Sequence, residues 1–437
     1  MRRLGVSVKF IDHFSDAYLR VVLFFLCAYV FLIPSQYFPQ NQTEPDLFVS
    51  FLRVIPSLIA FFLLFVTGAK FLISSTQVLP KEFKIFFAFV LVLCLSALCA
   101  PDSKLAFSRL FYYSITGVGV CFAVFYLLQR PRDFQYLAIL FAGLATLVAI
   151  YGILEYWLDK NLLFAFVFDA TRNLFYRQFT ADYEVRILST VGHPVFLATS
   201  MVIATFSFFY LIETTHRWWL KYGLGVALVL VAWAVLLTFS RSGLFGFLVS
   251  LFIYFFNKKH LFWKVGIYLG IVGALLIFMP SVRELAINRN SFQSYASEFG
   301  TGGRIYAYRV VVDVVKDFPL LGVGTAHYRV VSGRYGDIDE TPDNTYLMLL
   351  VDGGLLGFSV FLFGIFIIIH QLYLLKKHGF EEQVSYPEAD ACLATLVGVL
   401  INMITCDALY FATTRTLFWV LVGGCIASLR LPPFVKS

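Results

Sequence analysis

The chain has 437 residues, 59% hydrophobic and only 14% charged. A soluble domain carries roughly 25% charge, so soluble classes are excluded and a polytopic membrane protein is implied. The formal charge of +7 comes from basic residues scattered in short loops between apolar runs, which the positive-inside rule explains without a nucleic-acid partner.

The N-terminal stretch MRRLGVSVKFIDHFSDAYLRVVLFF starts basic, but its apolar run is long and lacks a small-residue cleavage site, so it reads as a retained first span. Apolar runs follow near 19–37, 50–69, 83–100, 107–128, 134–157, 193–213, 222–239, 242–257, 262–280, 345–375, 389–411 and 415–430, about twelve spans in all. Basic residues occupy alternate loops (Arg2, Arg3 and Lys9; Lys81 and Lys84; Arg130 and Arg132; Arg217 and Lys221; Lys258, Lys259 and Lys264; Lys376 and Lys377; Arg430 and Lys436), which places both chain ends in the cytoplasm. The seven cysteines (27, 94, 99, 121, 392, 406 and 425) lie in apolar runs without metal-type spacing and read as small core residues.

On the outer face, TTRT at 413–416 reads as hardly more than a turn, and SRSG at 240–243 barely separates two spans. Two outer connections are longer: 158–192, with Arg172, Arg177 and Arg186, and 281–344, a small polar subdomain. In the second, GGRIYAYRVVVDVVKDFPLLGVG is expected to form one helix that Gly303 precedes and Pro319 stops. Ala307, Val310, Val311, Val314 and Phe318 give it an apolar stripe, suited to the membrane surface or to capping the bundle. Arg304, Tyr308 and Arg309 lie toward its start, within reach of the bilayer interface; a plain interfacial helix whose arginines snorkel and pair with Asp313 has the same pattern.

The 281–344 segment holds Arg283, Arg289, Arg304, Arg309, Arg329 and Arg334 against the single Lys316. Arginine's planar fork matches phosphate oxygens at two points, so an outer cavity lined this way favours a phosphate-bearing lipid or acidic glycan, although for any one arginine a salt bridge within the loop is the simpler role. Arg241 sits in a turn too short for a solvated domain and is expected to find partners nearby, as a phosphate or acid partner or as a snorkelling anchor. Asp343 follows Pro342 at the mouth of an apolar helix. It is an N-cap by residue type, and the helix dipole also suits it to accept a proton from a sugar hydroxyl. Gly353, Gly354 and Gly357 allow close helix contact. His193, at the outer start of a span, and His327, after a glycine turn, either orient a substrate or are structural. No HExxH, acid triad or Walker loop supports a metal or nucleotide, so no cofactor is expected. Asp352 and Asp407, both within apolar runs, take no assignment from their surroundings.

Four pieces in order, EVRILSTVGHPVFLA at 184–198, TFSRSGLFG at 238–246, GGRIYAYRVVVDVVKDFPLLGVGTAHY at 302–328 and PDNTYLMLLVDGGLLG at 342–357, resemble the O-antigen ligase and polymerase superfamily of bacterial inner-membrane glycosyltransferases. The resemblance covers the C-terminal half. It implies an all-α, GT-C-like polytopic fold of about twelve spans with a partly helical periplasmic loop subdomain. In that frame 1–157 holds the N-terminal membrane helices, 158–192 the first larger periplasmic loop, 193–280 the central helices, 281–344 the large periplasmic loop, and 345–437 the C-terminal helices and cytoplasmic tail.

The activity it implies is metal-independent, inverting transfer of an undecaprenyl-pyrophosphate-linked glycan to an acceptor glycan or lipid hydroxyl on the periplasmic side, with membrane lipids as the other partners. Arg186 and Arg304 match the family's pyrophosphate-holding arginines, and Arg241 the arginine of its SRxG turn. Family ligases usually have His-Asn followed, nine residues later, by Gly-x-x-Gly. Here Asp343 and Asn344 fill that slot, with Gly354 and Gly357 at the matching offset, and the missing histidine favours polymerase over ligase. The catalytic set expected is Asp343, Arg304 and Arg186, with Arg241, Asn344, Arg309, His193, His327 and Tyr308 binding substrate. A transporter or lipid flippase is the rival from another class, but those place ionisable residues near the midplane, whereas the charges here gather at the outer rim.

Overall fold

The computed structural model describes residues 5–32, 47–73, 79–162, 186–256, 302–336, 342–382 and 384–433. The span expected near 262–280 and most of the two long outer segments lie outside these residues, as do Arg172, Arg177, Arg283 and Arg289.

Among the described residues the architecture is helical. The first half comprises α1 (Gly5–Leu32), α2 (Leu47–Ile73), α3 (Lys81–Leu98), α4 (Ser103–Ser114), α5 (Val120–Leu127) and α6 (Pro131–Leu158). A π-helical turn, Ile115–Gly119, joins α4 to α5. The second half comprises α7 (Pro194–Thr214), α8 (Trp218–Leu237), α9 (Arg241–Phe256), α10 (Gly302–Asp317), the single turn α11 (Tyr328–Val331), α12 (Thr345–Glu381), α13 (Pro387–Asn402) and α14 (Ala412–Ser428).

Among the described residues, six stretches are long and apolar enough to cross a membrane: Val54–Leu72, Ser103–Leu127, Pro131–Leu158, Pro194–Thr214, Trp218–Leu237 and Thr345–Gly379. The expected runs at 83–100, 389–411 and 415–430 correspond to the shorter α3, α13 and α14, packed within the bundle. Large apolar side chains such as Phe65, Leu91, Phe245 and Phe366 are exposed around it, as a lipid-facing surface requires.

The helices run up and down, and hydrogen bonds register them. α3 and α12 are antiparallel: Gln371 Nε2 donates to Glu82 Oε1 at one end (2.6 Å), and Ser96 Oγ donates to the Asp352 carbonyl near the other (2.6 Å). α13 lies against α7 and α9, with Thr205 and Thr395 hydroxyls 2.8 Å apart in the interior. Interhelical hydroxyl pairs of this kind satisfy polar groups that lipid cannot.

Ala307, Val310, Val311 and Val314 on α10 are buried, as their helical spacing predicts. Val310, Val311 and Val314, with the partly buried Phe318 against them, pack with Val323, Tyr328, Val331, Met348 and Val351, so the stripe lies on the first turns of α12. Asp313 pairs with Lys316 at 2.8 Å, not with Arg309.

Candidate active site

α12 opens with Asn344, whose side-chain oxygen accepts from the backbone N–H groups of Tyr346 (2.9 Å) and Leu347 (3.1 Å). The cap is therefore Asn344, and the expectation that Asp343 would fill that role is corrected. Asp343 sits one residue earlier in left-handed backbone, φ 40°, which turns the chain from Pro342 into the helix. Asn344 Nδ2 donates to the Ile404 carbonyl (2.6 Å), and Thr345 Oγ1 donates to the Cys406 carbonyl (2.8 Å) while accepting from Ala408 N (3.0 Å). These bonds strap the α13–α14 turn to the mouth of α12 and bring Asp407 under the influence of Asp343. Burial first, then the Asp343 charge, push the Asp407 carboxyl up to about 7; a backbone N–H from Tyr410 and the Arg415 guanidinium oppose the shift.

The paired glycines have separate tasks. Gly354 adopts φ 61°, ψ −166° and breaks α12, whereas Gly353 and Gly357 face Leu93 of α3, the close contact their size predicts. Into the break comes the segment after α10. Val323 N donates to the Val351 carbonyl (2.8 Å), Gly324 N to the Asp352 carbonyl (3.2 Å), Leu355 N to Pro319 (2.8 Å) and Leu356 N to Leu320 (3.2 Å). Asp352 completes the junction by accepting from Ala326 N at 2.9 Å, which gives this buried acid a structural role.

Arg186, His193 and Arg241 share another corner of the fold, where α7 and α9 begin. Arg186 Nε donates to the Thr238 carbonyl (2.9 Å), and Ile187 N to the Leu237 carbonyl (3.2 Å), so residue 186 is tied to the turn that leads into Arg241. Glu155 accepts from the N–H groups of Leu188 and Ser189, and Thr190 Oγ1 donates to Phe31 O (2.6 Å), pinning the same segment to α6 and α1. His193 precedes α7, and burial followed by the nearby Arg186 charge lowers its imidazole to about 3, keeping it neutral. Arg241 is the first residue of α9 and is exposed at the rim, so the partner expected for it is not found among the described residues.

The two corners meet through aromatic rings: His193 stacks near Phe196 (4.6 Å between centroids), and Phe196 lies 3.7 Å from Phe411, beside Tyr410 and the Asp407 turn. Arg304 falls in the first turn of α10. On that helix Tyr308 is half-buried and Arg309 exposed. His327 is brought elsewhere, fully buried in the segment that enters the α12 break, with Nδ1 3.1 Å from the Thr325 carbonyl.

One buried cation escaped the sequence reading. Arg415 is not in a turn but in the first turn of α14, 2% exposed. Its Nε donates to Thr116 Oγ1 (3.0 Å) at the π-helical turn, and its Nη1 to the carbonyls of Leu409 (3.1 Å) and Tyr410 (3.0 Å). The guanidinium also lies 3.9 Å from the Tyr113 ring centroid, which stabilises a buried charge. It borders a cavity of about 60 Å³, walled by residues that include Leu93, Leu110, Tyr113, Met348, Tyr410 and Trp419. The signal available in the sequence was an arginine inside a run otherwise able to span lipid.

With this geometry in view, residues 226–362 match the family model described as O-antigen ligase (Wzy_C). That stretch is similar to the O-antigen ligase domain. The match supports membership of the O-antigen ligase/polymerase superfamily and implies a glycosyltransferase-like enzyme. No curated protein matches the chain. The O-antigen ligase match holds Arg241, Arg304, Tyr308, Arg309, His327, Asp343 and Asn344, while Arg186 and His193 precede it and Asp407 and Arg415 follow it. The residues strapped to the domain by hydrogen bonds thus come from both sides of it.

Proposed function

We propose that this protein is an integral-membrane glycosyltransferase of the bacterial inner membrane. It transfers glycan from an undecaprenyl-pyrophosphate carrier to an acceptor sugar hydroxyl on the periplasmic side, and polymerisation of lipid-linked repeat units is its favoured activity. The observation that carries this reading is that Arg186 is hydrogen-bonded to the turn leading into Arg241, with the aromatic bridge from His193 running to the turn beside Asp343.

In this mechanism the acceptor oxygen attacks the anomeric carbon from the face opposite the carrier and inverts it. The bond to the carrier oxygen breaks, its electron pair leaves with the pyrophosphate, and Asp343 takes the hydroxyl proton. Arg186 and Arg304, with Arg241 in support, neutralise the leaving group. Each charge-assisted hydrogen bond contributes about 1.5–3 kcal/mol, so two or three suffice to hold a pyrophosphate. The energy for transfer resides in the carrier bond; the protein supplies positioning and charge stabilisation. His193, kept neutral, fits a donor-orienting role.

The test is elongation of lipid-linked glycan by purified protein without nucleotide. Arg304→Ala should abolish it, and elongation at the wild-type rate would remove Arg304 from the mechanism. Conversion of the donor also separates an enzyme from a transporter. The second reading, a ligase joining finished glycan to lipid A-core or another acceptor, predicts long unattached polymer in a deletion strain. The polymerase reading predicts a single repeat unit on its lipid anchor.

A further inference from the structure

The cavity beside Arg415 carries three polar atoms with no hydrogen-bond partner among the described residues: Asp407 Oδ2, Arg415 Nη2 and Thr325 Oγ1. Their residues are 4%, 2% and 1% exposed, so bulk water does not satisfy them. Native interiors rarely leave such atoms unmet, and three on the wall of one cavity define what would fit there. A carboxylate oxygen accepts, a guanidinium N–H donates, and a threonine hydroxyl does both, so the complementary group offers donor and acceptor together, as a hydroxyl does.

The polar inventory narrows the choice. Arg415 Nε and Nη1 already donate to Thr116, Leu409 and Tyr410, which leaves Nη2 as the unmet guanidinium donor, while the carboxyl groups of Asp352 and Asp407 add acceptor oxygens to the wall; a phosphate, rich in acceptors, fits this set less well than a neutral hydroxyl-bearing ligand. The rest of the wall includes Tyr113, Tyr410 and Trp419, rings whose faces suit the C–H face of a sugar. About 60 Å³ is room for several water molecules or for the edge of one sugar ring. Thr345, two residues from Asp343, also borders the space.

We propose that this cavity is the acceptor-sugar subsite, which takes a ring edge of the attacking glycan so that Asp407, Arg415 and Thr325 hold the hydroxyls next to the one presented to Asp343. The subsite rests on the transferase function proposed above and adds to it where the neutral acceptor is held, apart from the arginines assigned to the pyrophosphate. Asp407, Arg415 and Thr325 are positioning residues in this scheme.

Full-length protein in lipid nanodiscs, titrated with two probes, tests the assignment. One probe is the host's repeat-unit oligosaccharide released from its carrier; the other is undecaprenyl pyrophosphate. Asp407→Asn and Thr325→Val should each weaken oligosaccharide binding roughly tenfold while leaving carrier affinity within about twofold. Thr325→Val keeps shape and charge, so its effect is readable even if Asp407→Asn impairs assembly. Unchanged oligosaccharide affinity in Thr325→Val and in folded Asp407→Asn would mean that the cavity holds only water, and would overturn the proposal. Equal weakening of both probes would also overturn it, by giving the cavity to the carrier. Wild-type binding of the carrier but not the oligosaccharide removes the subsite and leaves the transferase function standing, whereas loss of carrier binding in the wild type removes both.

Discussion

Gly354 of α12 lies so close to Leu320 that a Cβ added to it would stand 2.3 Å from the Leu320 carbonyl oxygen. Its backbone, φ 61° and ψ −166°, occupies a region that essentially only glycine enters. Both facts have one origin: the helix is broken there so that the 319–326 segment can dock on the freed backbone groups. Gly354→Ala should therefore cost roughly 1–3 kcal/mol from the backbone alone, with the displaced segment adding to the loss. At Gly357 an added Cβ meets nothing nearer than 3.8 Å, so Gly357→Ala should leave stability nearly unchanged. Melting temperatures of the two variants in detergent decide the matter; equal values would show that the break is not what the glycine is for.

Asp343 and Asn344 are neighbours with separable tasks. Asn344 caps α12 and holds the Ile404 carbonyl, so Asn344→Ala should lower stability by about 0.5–2 kcal/mol. Asp343 is not the cap, so Asp343→Asn should leave the melting temperature close to wild type while turnover of lipid-linked glycan collapses. Full turnover in Asp343→Asn would end its role as base.

Much of the bundle was legible because lipid permits few solutions: an apolar run near span length must be helical, and Ala307, Val310, Val311 and Val314 recur at the spacing that buries them together. What could not be read were choices settled by distant partners. TTRT resembles a turn because arginine in lipid is costly, yet Thr116 and the aromatic face of Tyr113, some 300 positions away, together with the carbonyls of Leu409 and Tyr410, make Arg415 tolerable inside α14. The distinction between Gly354 as a break and Gly357 as a packing residue is likewise invisible in composition, since it depends on Leu320 arriving from another segment. Asp343 and Asn344 are both good caps by type, and the backbone geometry that picks the second is tertiary. Arg186 next to Thr238 was foreshadowed only by the resemblance, because nothing local links 186 to 238.

The Asp407 carboxyl gives the protein a calculable pH response. It is faced by Asp343 at the mouth of α12, by Asp352 from within α12, by Tyr113 and by Arg415, with the Tyr410 N–H donating to it. Its folded value of about 7 lies above the ordinary 3.8, so the folded state holds a proton that the unfolded chain releases. This contribution to stability is complete below the ordinary value and is lost as pH rises through about 7. The neutral His193 acts in the opposite sense: its folded value of about 3 lies below the ordinary 6.5, so its contribution is lost as pH falls between them. Melting temperature followed from pH 5 to 8 should decline toward the alkaline side less in Asp407→Asn than in the wild type. Identical profiles would mean that Asp407 is not protonated in the fold.

Arg186 offers the sharpest kinetic prediction because its geometry is already partly committed. Its Nε donates to the Thr238 carbonyl, which fixes the direction of the fork, and a planar guanidinium matches phosphate oxygens at two points. Lysine presents a single point charge and cannot reproduce both contacts, so Arg186→Lys should keep the positive charge yet lower turnover roughly 10–100-fold, the equivalent of one charge-assisted hydrogen bond. Stability should change little, since the side chain is half-buried and the segment keeps its bonds through Ile187, Leu188 and Thr190. Arg241→Ala supplies the cross-check. If both guanidinium groups hold one pyrophosphate, the double variant should lose less than the product of the two single losses. Strictly multiplicative losses would separate Arg241 from the group that Arg186 binds, and a fully active Arg186→Lys would remove the planar fork from the chemistry.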